Sequence, residues 1–230
     1  MEKVENSVKQ NDESESNNEL NFKMIVLGDP GVGKSCLTSR ATKDVFSEEY
    51  AATLGFEFLT FNAKIEDKNI KLQIWDTCGQ EMYKSLISNF YRNASLAMLV
   101  YAIDDKNSFI NVTKWIKEIK LQSSPDIKLI LIGNKADLEN KRKVTLEEAN
   151  KLKEENDILY FKETSAKSGI NAKEVFNEAA KILYEEYIEL AKKIKSLSLS
   201  KKESTFNDSS LNSSRLKSYI NSKKKKRCCL

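Results

Sequence analysis

Two hydrophobic patterns alternate along the chain. Short continuous or alternating apolar runs predict strands, and apolar residues spaced three and four apart predict helices. The predicted strands are 22–28, 56–65, 71–76, 96–103, 127–133 and 158–165, and the predicted helices are 34–43, 107–122, 145–156 and 171–193. This alternation predicts an α/β fold, a mostly parallel six-stranded sheet with helices on both faces. Ligands of such sheets bind beyond the carboxyl ends of the strands.

The two ends of the chain differ from the middle in composition and charge. Residues 1–20 carry six acids and two lysines, net −4, and are expected to form a disordered extension. Residues 192–230 carry twelve bases and two acids, net +10. We therefore predict a folded domain over 21–193 and a flexible basic tail over 194–230. Since the tail supplies the positive charge, a nucleic-acid-binding body is not indicated.

Residue usage excludes several kinds of site. The chain has no histidine, so no imidazole base or histidine metal ligand is available. The four cysteines have spacings that predict neither a zinc site nor a disulfide framework, which favours a reducing cytosol. The N-terminus does not resemble a signal peptide. The longest apolar run, Leu96–Ile103, is too short to span a bilayer.

The stretch GDPGVGKS, residues 28–35, matches the phosphate-loop pattern G-x-x-x-x-G-K-[ST] between a predicted strand and a predicted helix. Its backbone N–H groups and the helix N-terminus would bind phosphates. Lys34 would reach the β- and γ-phosphates, and the Ser35 hydroxyl would ligate Mg²⁺. The residues predicted to bind this end of the nucleotide are Gly31, Val32, Gly33, Lys34, Ser35 and Cys36.

Pro30 interrupts this loop and has no N–H to contribute. Two interpretations stay open at this point. Its ring either stiffens the turn, or stands beside the γ-phosphate and alters hydrolysis.

Two further motifs predict which base is bound. In NKAD, residues 134–137, Asp137 can accept hydrogen bonds from guanine N1–H and its 2-amino group, which adenine cannot supply. In ETSAK, residues 163–167, the Ala166 N–H could donate to guanine O6. Asn134 would brace the loop, and the stem of Lys135 would pack on the base. The predicted base-binding residues are Asn134, Lys135, Asp137, Ser165, Ala166 and Lys167.

Over about residues 22–190 the chain resembles the Ras superfamily of small GTPases, and within it the Rab family. The similarity is carried by GDPGVGKSCL, TLGFEF (53–58), KLQIWDTCGQE (71–81), FYRNA (90–94), LVYAID (99–104), GNKADL (133–138) and ETSAK. The resemblance implies the P-loop NTPase fold and GTP hydrolysis to GDP and phosphate.

The resemblance also implies roles for individual residues. Thr53 would bind Mg²⁺ and sense the γ-phosphate, and Asp76 would hold Mg²⁺ through water. The Gly79 N–H would meet the γ-phosphate, and Gln80 would orient the attacking water. Catalysis would thus depend on Lys34, Thr53, Gly79 and Gln80.

Further contacts follow from the same resemblance. Phe46 would lie against the base, and Tyr50 would also contact the nucleotide. Phe58, Trp75 and Phe90 would form a surface that effectors recognise. For Phe46 and Trp75, simple core packing is the alternative interpretation.

Departures from the family leave a second function open. Pro30 replaces a small polar residue, Cys78 an alanine and Ala102 an aspartate. The leading prediction is a GTP/GDP-dependent switch in vesicle traffic that hydrolyses GTP slowly without an activating protein. The alternative is a GTP-binding module with little hydrolytic activity. Asp137 argues against a third candidate, an ATPase or kinase.

The chain ends in KKKKRCCL, which resembles a Rab double-cysteine terminus. Cys228 and Cys229 would both carry geranylgeranyl groups, and the bases of 223–227 would favour an anionic membrane. A nuclear-import signal and a solvated charge run are the competing interpretations. The expected location is the cytoplasmic face of endomembranes, with cycling through the cytosol. The expected partners are an exchange factor, a GTPase-activating protein, a GDP dissociation inhibitor, a Rab escort protein and effectors.

Overall fold

The fold is seen in a computed structural model that describes residues 19–47, 56–77 and 90–200. Within these residues six strands form one sheet in the order β2-β3-β1-β4-β5-β6. The strands are β1 (Glu19–Leu27), β2 (Phe56–Ile65), β3 (Lys68–Thr77), β4 (Leu96–Ala102), β5 (Lys128–Asn134) and β6 (Tyr160–Glu163). β2 runs antiparallel to β3, and the other pairs are parallel. The predicted α/β fold with a mostly parallel six-stranded sheet is confirmed.

The helices, numbered here among the described residues, are α1 (Lys34–Lys43), α2 (Lys106–Gln122), α3 (Leu146–Glu155) and α4 (Ala172–Ser200). Local side chains explain where two of them begin. Thr145 and Glu148 form a capping box at the start of α3, in which each side chain bonds the other residue's backbone N–H. The Asp105 side chain accepts a hydrogen bond from the Asn107 N–H and so caps α2.

The chain separates into two compact units, one up to Leu183 and one from Tyr184 onwards. The first unit contains all the described strands. The boundary falls within α4, which continues to Ser200, beyond the end predicted at residue 193. The candidate site lies within the first unit.

Strand β1 begins earlier than the sequence pattern predicted. Glu19 and Leu20 pair with Asn69 and Ile70 of β3, so the last two residues of the predicted disordered extension are in the sheet. The polar residue Glu19 is accommodated because its carboxylate lies 3.3 Å from the Lys71 ammonium. Residues 1–18 lie outside the described residues.

The sheet positions the candidate site through its buried centre. All seven residues of β4 are buried, as are the last four of β1. β3 and β5 flank this centre, with Val26 opposite Asp76 and Ala102 opposite Asn134. The carboxyl ends of β1, β3 and β5 therefore bring the predicted site residues to one edge.

Candidate nucleotide-binding site

The phosphate loop joins β1 to α1. Gly33 is the N-cap of α1 in a left-handed conformation, with φ 93°, and offers no side chain to the helix. The first turn of α1 contains no acidic residue. The N–H groups of that turn thus retain their capacity to bind an anion, and the helix dipole adds to the attraction.

Two glycines of this loop are required by close contacts. A Cβ at Gly28, where φ is 147°, would lie 2.1 Å from the Val100 carbonyl oxygen. A Cβ at Gly33 would lie 2.4 Å from Nδ2 of Asn134. The first contact fixes the loop against β4, and the second fixes it against the loop after β5.

Lys34 is buried beneath the phosphate loop. Its ammonium donates hydrogen bonds to the carbonyl oxygens of Gly28, at 2.8 Å, and Asp29, at 2.9 Å. These bonds hold a positive charge inside the loop that the N-terminus of α1 closes. An ammonium in that position can offset the charge of bound phosphates.

Asp76, near the end of β3, has a fully buried carboxyl group. Neither carboxylate oxygen has a hydrogen-bond partner within normal geometric limits. Burial raises the pKa of Asp76 to about 6, although the nearby Ser35 hydroxyl and Lys34 ammonium act in the opposite direction. A buried, unpaired carboxylate beside a hydroxyl fits Mg²⁺, which prefers hard oxygen ligands.

The described residues contain no group of three or more cysteine, aspartate or glutamate side chains that could hold a metal ion alone. A cation at Asp76 would therefore need further oxygen ligands from phosphate and water. Mg²⁺ typically binds proteins in this way, through few carboxylates.

The Asn134 side chain connects three loops. Its Nδ2 donates to the Val32 carbonyl oxygen at 2.8 Å. Its Oδ1 accepts from the Thr164 hydroxyl at 3.1 Å and from the Ala166 N–H at 3.3 Å. The phosphate loop, NKAD and ETSAK are thus held together by one buried amide. Thr164 was not among the predicted residues, because its contact depends on the fold rather than on a motif.

Asp137 and Ser165, predicted to read the base, lie in contact. The Ser165 hydroxyl donates to Oδ1 of Asp137 at 2.5 Å and accepts from the Ser168 N–H at 3.0 Å. The exposed Asp137 side chain is thereby oriented from the neighbouring loop. Lys135 has a left-handed backbone with φ 65°, and its ammonium lies 3.9 Å from the Asp104 carboxylate.

Arg40 of α1 is a site residue that the sequence did not indicate. Its Nε donates to the Ala166 carbonyl oxygen at 2.9 Å, and its Nη2 donates to that of Lys167 at 3.0 Å. The Phe46 ring, predicted to lie against the base, has its centroid 5.9 Å from the Arg40 guanidinium carbon. Arg40 therefore links α1, the ETSAK backbone and Phe46.

The three predicted surface aromatics come together. The Trp75 ring lies 5.5 Å from the rings of both Phe58 and Phe90. Phe58 is 49% exposed, whereas Phe90 is buried. The Lys23 ammonium lies 4.7 Å from the Trp75 ring centroid, which adds a cation–π contact.

Other predicted residues lie outside the described part of the chain. These are Tyr50, Thr53, Cys78, Gly79, Gln80, Cys228 and Cys229. Their roles stay predictions.

Comparison with known proteins supplies the family. The model of the Ras family matches residues 23–185. The chain belongs to the Ras family. As a Rab-family small GTPase, it binds guanine nucleotide and hydrolyses GTP, which confirms the resemblance.

Relatives of this Rab-family GTPase come from animals and plants. It is 47% identical over 160 residues to Ras-related protein Rab-13 of Mesocricetus auratus, covering 70% of this chain and 78% of that protein. It is 45% identical over 170 residues to Ras-related protein RHN1 of Nicotiana plumbaginifolia, covering 74% and 84%. The figures for Ras-related protein Rab5 of Nicotiana tabacum are also 45% identity over 170 residues.

An ion pair that sequence reasoning missed supports the ETSAK loop of this Rab-family GTPase. Arg142 makes two hydrogen bonds with Glu163, at 2.6 and 2.8 Å, and two more with Glu139. These carboxylates, Glu163 foremost, raise the pKa of Arg142. No spacing rule relates positions 142 and 163, so only the fold reveals this pair.

The length and hydrophobicity of a helix decide whether it can span a bilayer. Within the described ranges, none of them combines the length and apolar character needed to cross a membrane.

Proposed function

We propose that this Rab-family GTPase is a GTP/GDP-dependent switch that regulates intracellular vesicle traffic. The observation that carries the proposal is the Asn134 amide, which joins the phosphate loop to both guanine-binding motifs. This connection lets one ligand, a guanine nucleotide, order all three loops together. The sequence similarity to Ras-related proteins named Rab supports the assignment to traffic.

We assign the phosphate end of the site to Mg²⁺ and GTP. Ser35, Thr53 and Asp76 would hold Mg²⁺, which supplies positive charge beside the phosphates. Lys34 would offset further charge, and Gln80 would orient the attacking water. The unpaired buried carboxylate of Asp76 is the structural support for this arrangement.

The switch itself would depend on loss of the γ-phosphate. Of the three phosphates, Thr53 and the Gly79 N–H would contact only the γ-phosphate, so hydrolysis would release both segments. Effectors would then bind the GTP form. The exposed Phe58 ring, packed on Trp75, which in turn packs on the buried Phe90, offers an apolar surface for them.

GTP hydrolysis is expected to be slow without an activating protein. Positioning and charge stabilisation dominate phosphoryl transfer, and an arginine supplied by an activating protein accelerates Ras about 10⁵-fold. We expect an unassisted rate of roughly 10⁻⁴ per second, the order of Ras itself. A single-turnover assay of wild type and Pro30→Ser measures this rate, and fast unassisted hydrolysis by wild type would contradict the proposal. The same comparison decides between the two interpretations of Pro30, because only a ring beside the γ-phosphate would change the rate at equal nucleotide affinity.

The tail would attach the protein to the cytoplasmic face of endomembranes. Geranylgeranyl groups on Cys228 and Cys229, with the bases of 223–227, would give the two signals that stable anchoring needs. A Rab escort protein, a GDP dissociation inhibitor and an exchange factor would serve this cycle. Mass spectrometry of the native C-terminus tests lipidation. Imaging of a tagged protein with both cysteines changed to serine should show loss of membrane attachment.

The nucleotide assignment is tested by competition. Wild-type protein should release a fluorescent GDP analogue in excess GTP or GDP but retain it in excess ATP or ADP. Asp137→Ala should lose this discrimination, since the guanine donors would lack their acceptor. Asp126→Ala, at an exposed loop position, is the matched control. Equal competition by adenine nucleotides with wild type would refute the proposal.

A further inference from the structure

Asp29 places a negative charge within the loop predicted to hold phosphates. It lies directly after Gly28 and before the exposed Pro30, and it is itself half-buried. A carboxylate turned toward bound phosphates would repel them, since like charges at short range disfavour each other. The position therefore requires a means of directing the carboxylate elsewhere.

Helix α2 provides that means. Nδ2 of Asn111 donates to Oδ2 of Asp29 at 2.6 Å, and the Trp115 Nε1–H donates to Oδ1 at 2.9 Å. Each carboxylate oxygen thus has its own donor. Asn111 and Trp115 are four residues apart on one helix and therefore share a face.

The donors are fixed by the packing of α2. Trp115 packs against the buried core cluster, to which Val112, Ile116 and Ile119 of the same helix belong. The indole N–H is therefore held in place from behind. A hydrogen-bond donor restrained in this way directs its acceptor without a large loss of side-chain freedom.

The backbone of Asp29 is engaged at the same time. Its carbonyl oxygen accepts a hydrogen bond from the Lys34 ammonium at 2.9 Å. Asp29 is thus held at its side chain by α2 and at its main chain by the lysine assigned to the phosphates. A substitution that removes the hydrogen bonds from α2 would therefore act on the phosphate site through Asp29.

We propose that Asn111 and Trp115 are positioning residues for nucleotide binding, which hold the Asp29 carboxylate away from the phosphates. This inference rests on the phosphate-binding role of the loop. Without the two donors, the carboxylate becomes free to approach the nucleotide and repel it. The loss of affinity then comes from the charge of Asp29 and not from altered packing.

The test is a rescue experiment on the full-length protein. Trp115→Phe keeps an aromatic ring but removes the N–H, and Asn111→Ala removes the second donor. The double variant should bind a fluorescent GDP analogue about tenfold more weakly than wild type at low salt, since the released Asp29 carboxylate would repel the phosphates. The loss should shrink at high salt, where charge repulsion is screened. Adding Asp29→Ala to the double variant should restore most of the affinity.

The outcomes separate this inference from the proposed function. Failure of wild type to bind the GDP analogue would refute the phosphate-binding role itself. Normal binding by wild type together with a double variant that binds equally well, or a triple variant that stays as weak as the double, would overturn the inference alone. Thermal unfolding shows whether each variant is folded. Should the double variant fail to fold, the GDP-analogue affinity of Trp115→Phe is compared with that of Trp115→Phe/Asp29→Ala, and an affinity that Asp29→Ala does not restore would overturn the inference. Asn107→Ala, at an exposed position of α2, is the control.

Discussion

The side-chain amide of Asn134 donates a hydrogen bond of 2.8 Å to the main-chain oxygen of Val32, 102 residues earlier in the chain. This contact joins the loop predicted to read the base to the loop predicted to hold the phosphates. Nucleotide affinity should therefore respond to Asn134 more strongly than a single ligand contact would suggest.

The first prediction concerns this amide. Asn134→Ala removes four side-chain hydrogen bonds, those with Val32, Gly33, Thr164 and Ala166, and leaves the buried Thr164 hydroxyl without its acceptor. Each buried bond contributes about 1 kcal/mol, so GDP dissociation should accelerate on the order of 10- to 100-fold. Stopped-flow release of a fluorescent GDP analogue measures the rate. Asn150→Ala, an exposed asparagine on α3, should leave it unchanged, and an unaltered rate in Asn134→Ala would contradict the linking role.

The second prediction concerns Arg40. Arg40→Ala should speed GDP release several-fold, because the carbonyls of Ala166 and Lys167 lose their shared donor. Arg40→Lys should not restore the slow rate, since a single ammonium cannot reproduce the planar fork of guanidinium donors. Release kinetics measure both variants. Lys43→Ala, on the exposed last turn of α1, is the control, and full rescue by lysine would mean that charge alone matters.

The third prediction concerns Asp76. Its folded pKa of about 6 lies above the ordinary value of 3.8. The native state therefore binds the extra proton, and in EDTA stability should fall as pH rises from about 4 to 6 and then level off. The maximum loss is about 3 kcal/mol by linkage.

Asp76→Asn provides the check on that dependence. Thermal unfolding with GDP and EDTA should show a flatter pH profile for the variant than for wild type. Added Mg²⁺ should raise the midpoint of wild type more than that of Asp76→Asn. Equal Mg²⁺ responses would show that this carboxylate does not hold the ion.

The fourth prediction concerns the ion pair of Arg142 and Glu163, whose side chains are 19% and 16% exposed. Arg142→Ala should destabilise the protein by about 1–3 kcal/mol, since the mostly buried Glu163 carboxyl group would lose both of its hydrogen bonds from the guanidinium group. Lys151→Ala breaks an exposed pair with Glu155 and should cost no more than about 0.5 kcal/mol. Urea unfolding measures the free energy of unfolding of both variants. Equal losses of unfolding free energy in the two variants would show that the Arg142–Glu163 pair contributes no more than an exposed ion pair.

The sequence predicted those features that depend on neighbouring residues. The run from Gly28 to Ser35 was enough to place a phosphate loop between a strand and α1, because loop chemistry and hydrophobic period are both local. Asp137 and Ser165 could be assigned to one base because each follows a strand end. The limits of β1 and α4 were wrong by a few residues: pairing with Asn69 overrides local composition at the start of β1, and α4 continues to Ser200.

The contacts that sequence could not predict join distant segments. Arg40 meets Ala166 and Asp29 meets Trp115 only because the sheet order β1-β4-β5-β6 brings the segment after β1 near the segments after β4 and β6. Such pairs involve common residue types at unremarkable spacings. Their partners are determined by topology, which no local pattern encodes.

At position 28 the structure has room for no residue other than glycine. Its hydrogen faces the Val100 oxygen so closely that even a methyl group would overlap it, at 2.1 Å. Any amino-acid substitution at this glycine would force β1 and β4 apart or hold a residue with a Cβ at a positive φ that such residues rarely adopt. A chain in which another residue replaces Gly28 is therefore expected to lose the shape of the loop that follows β1.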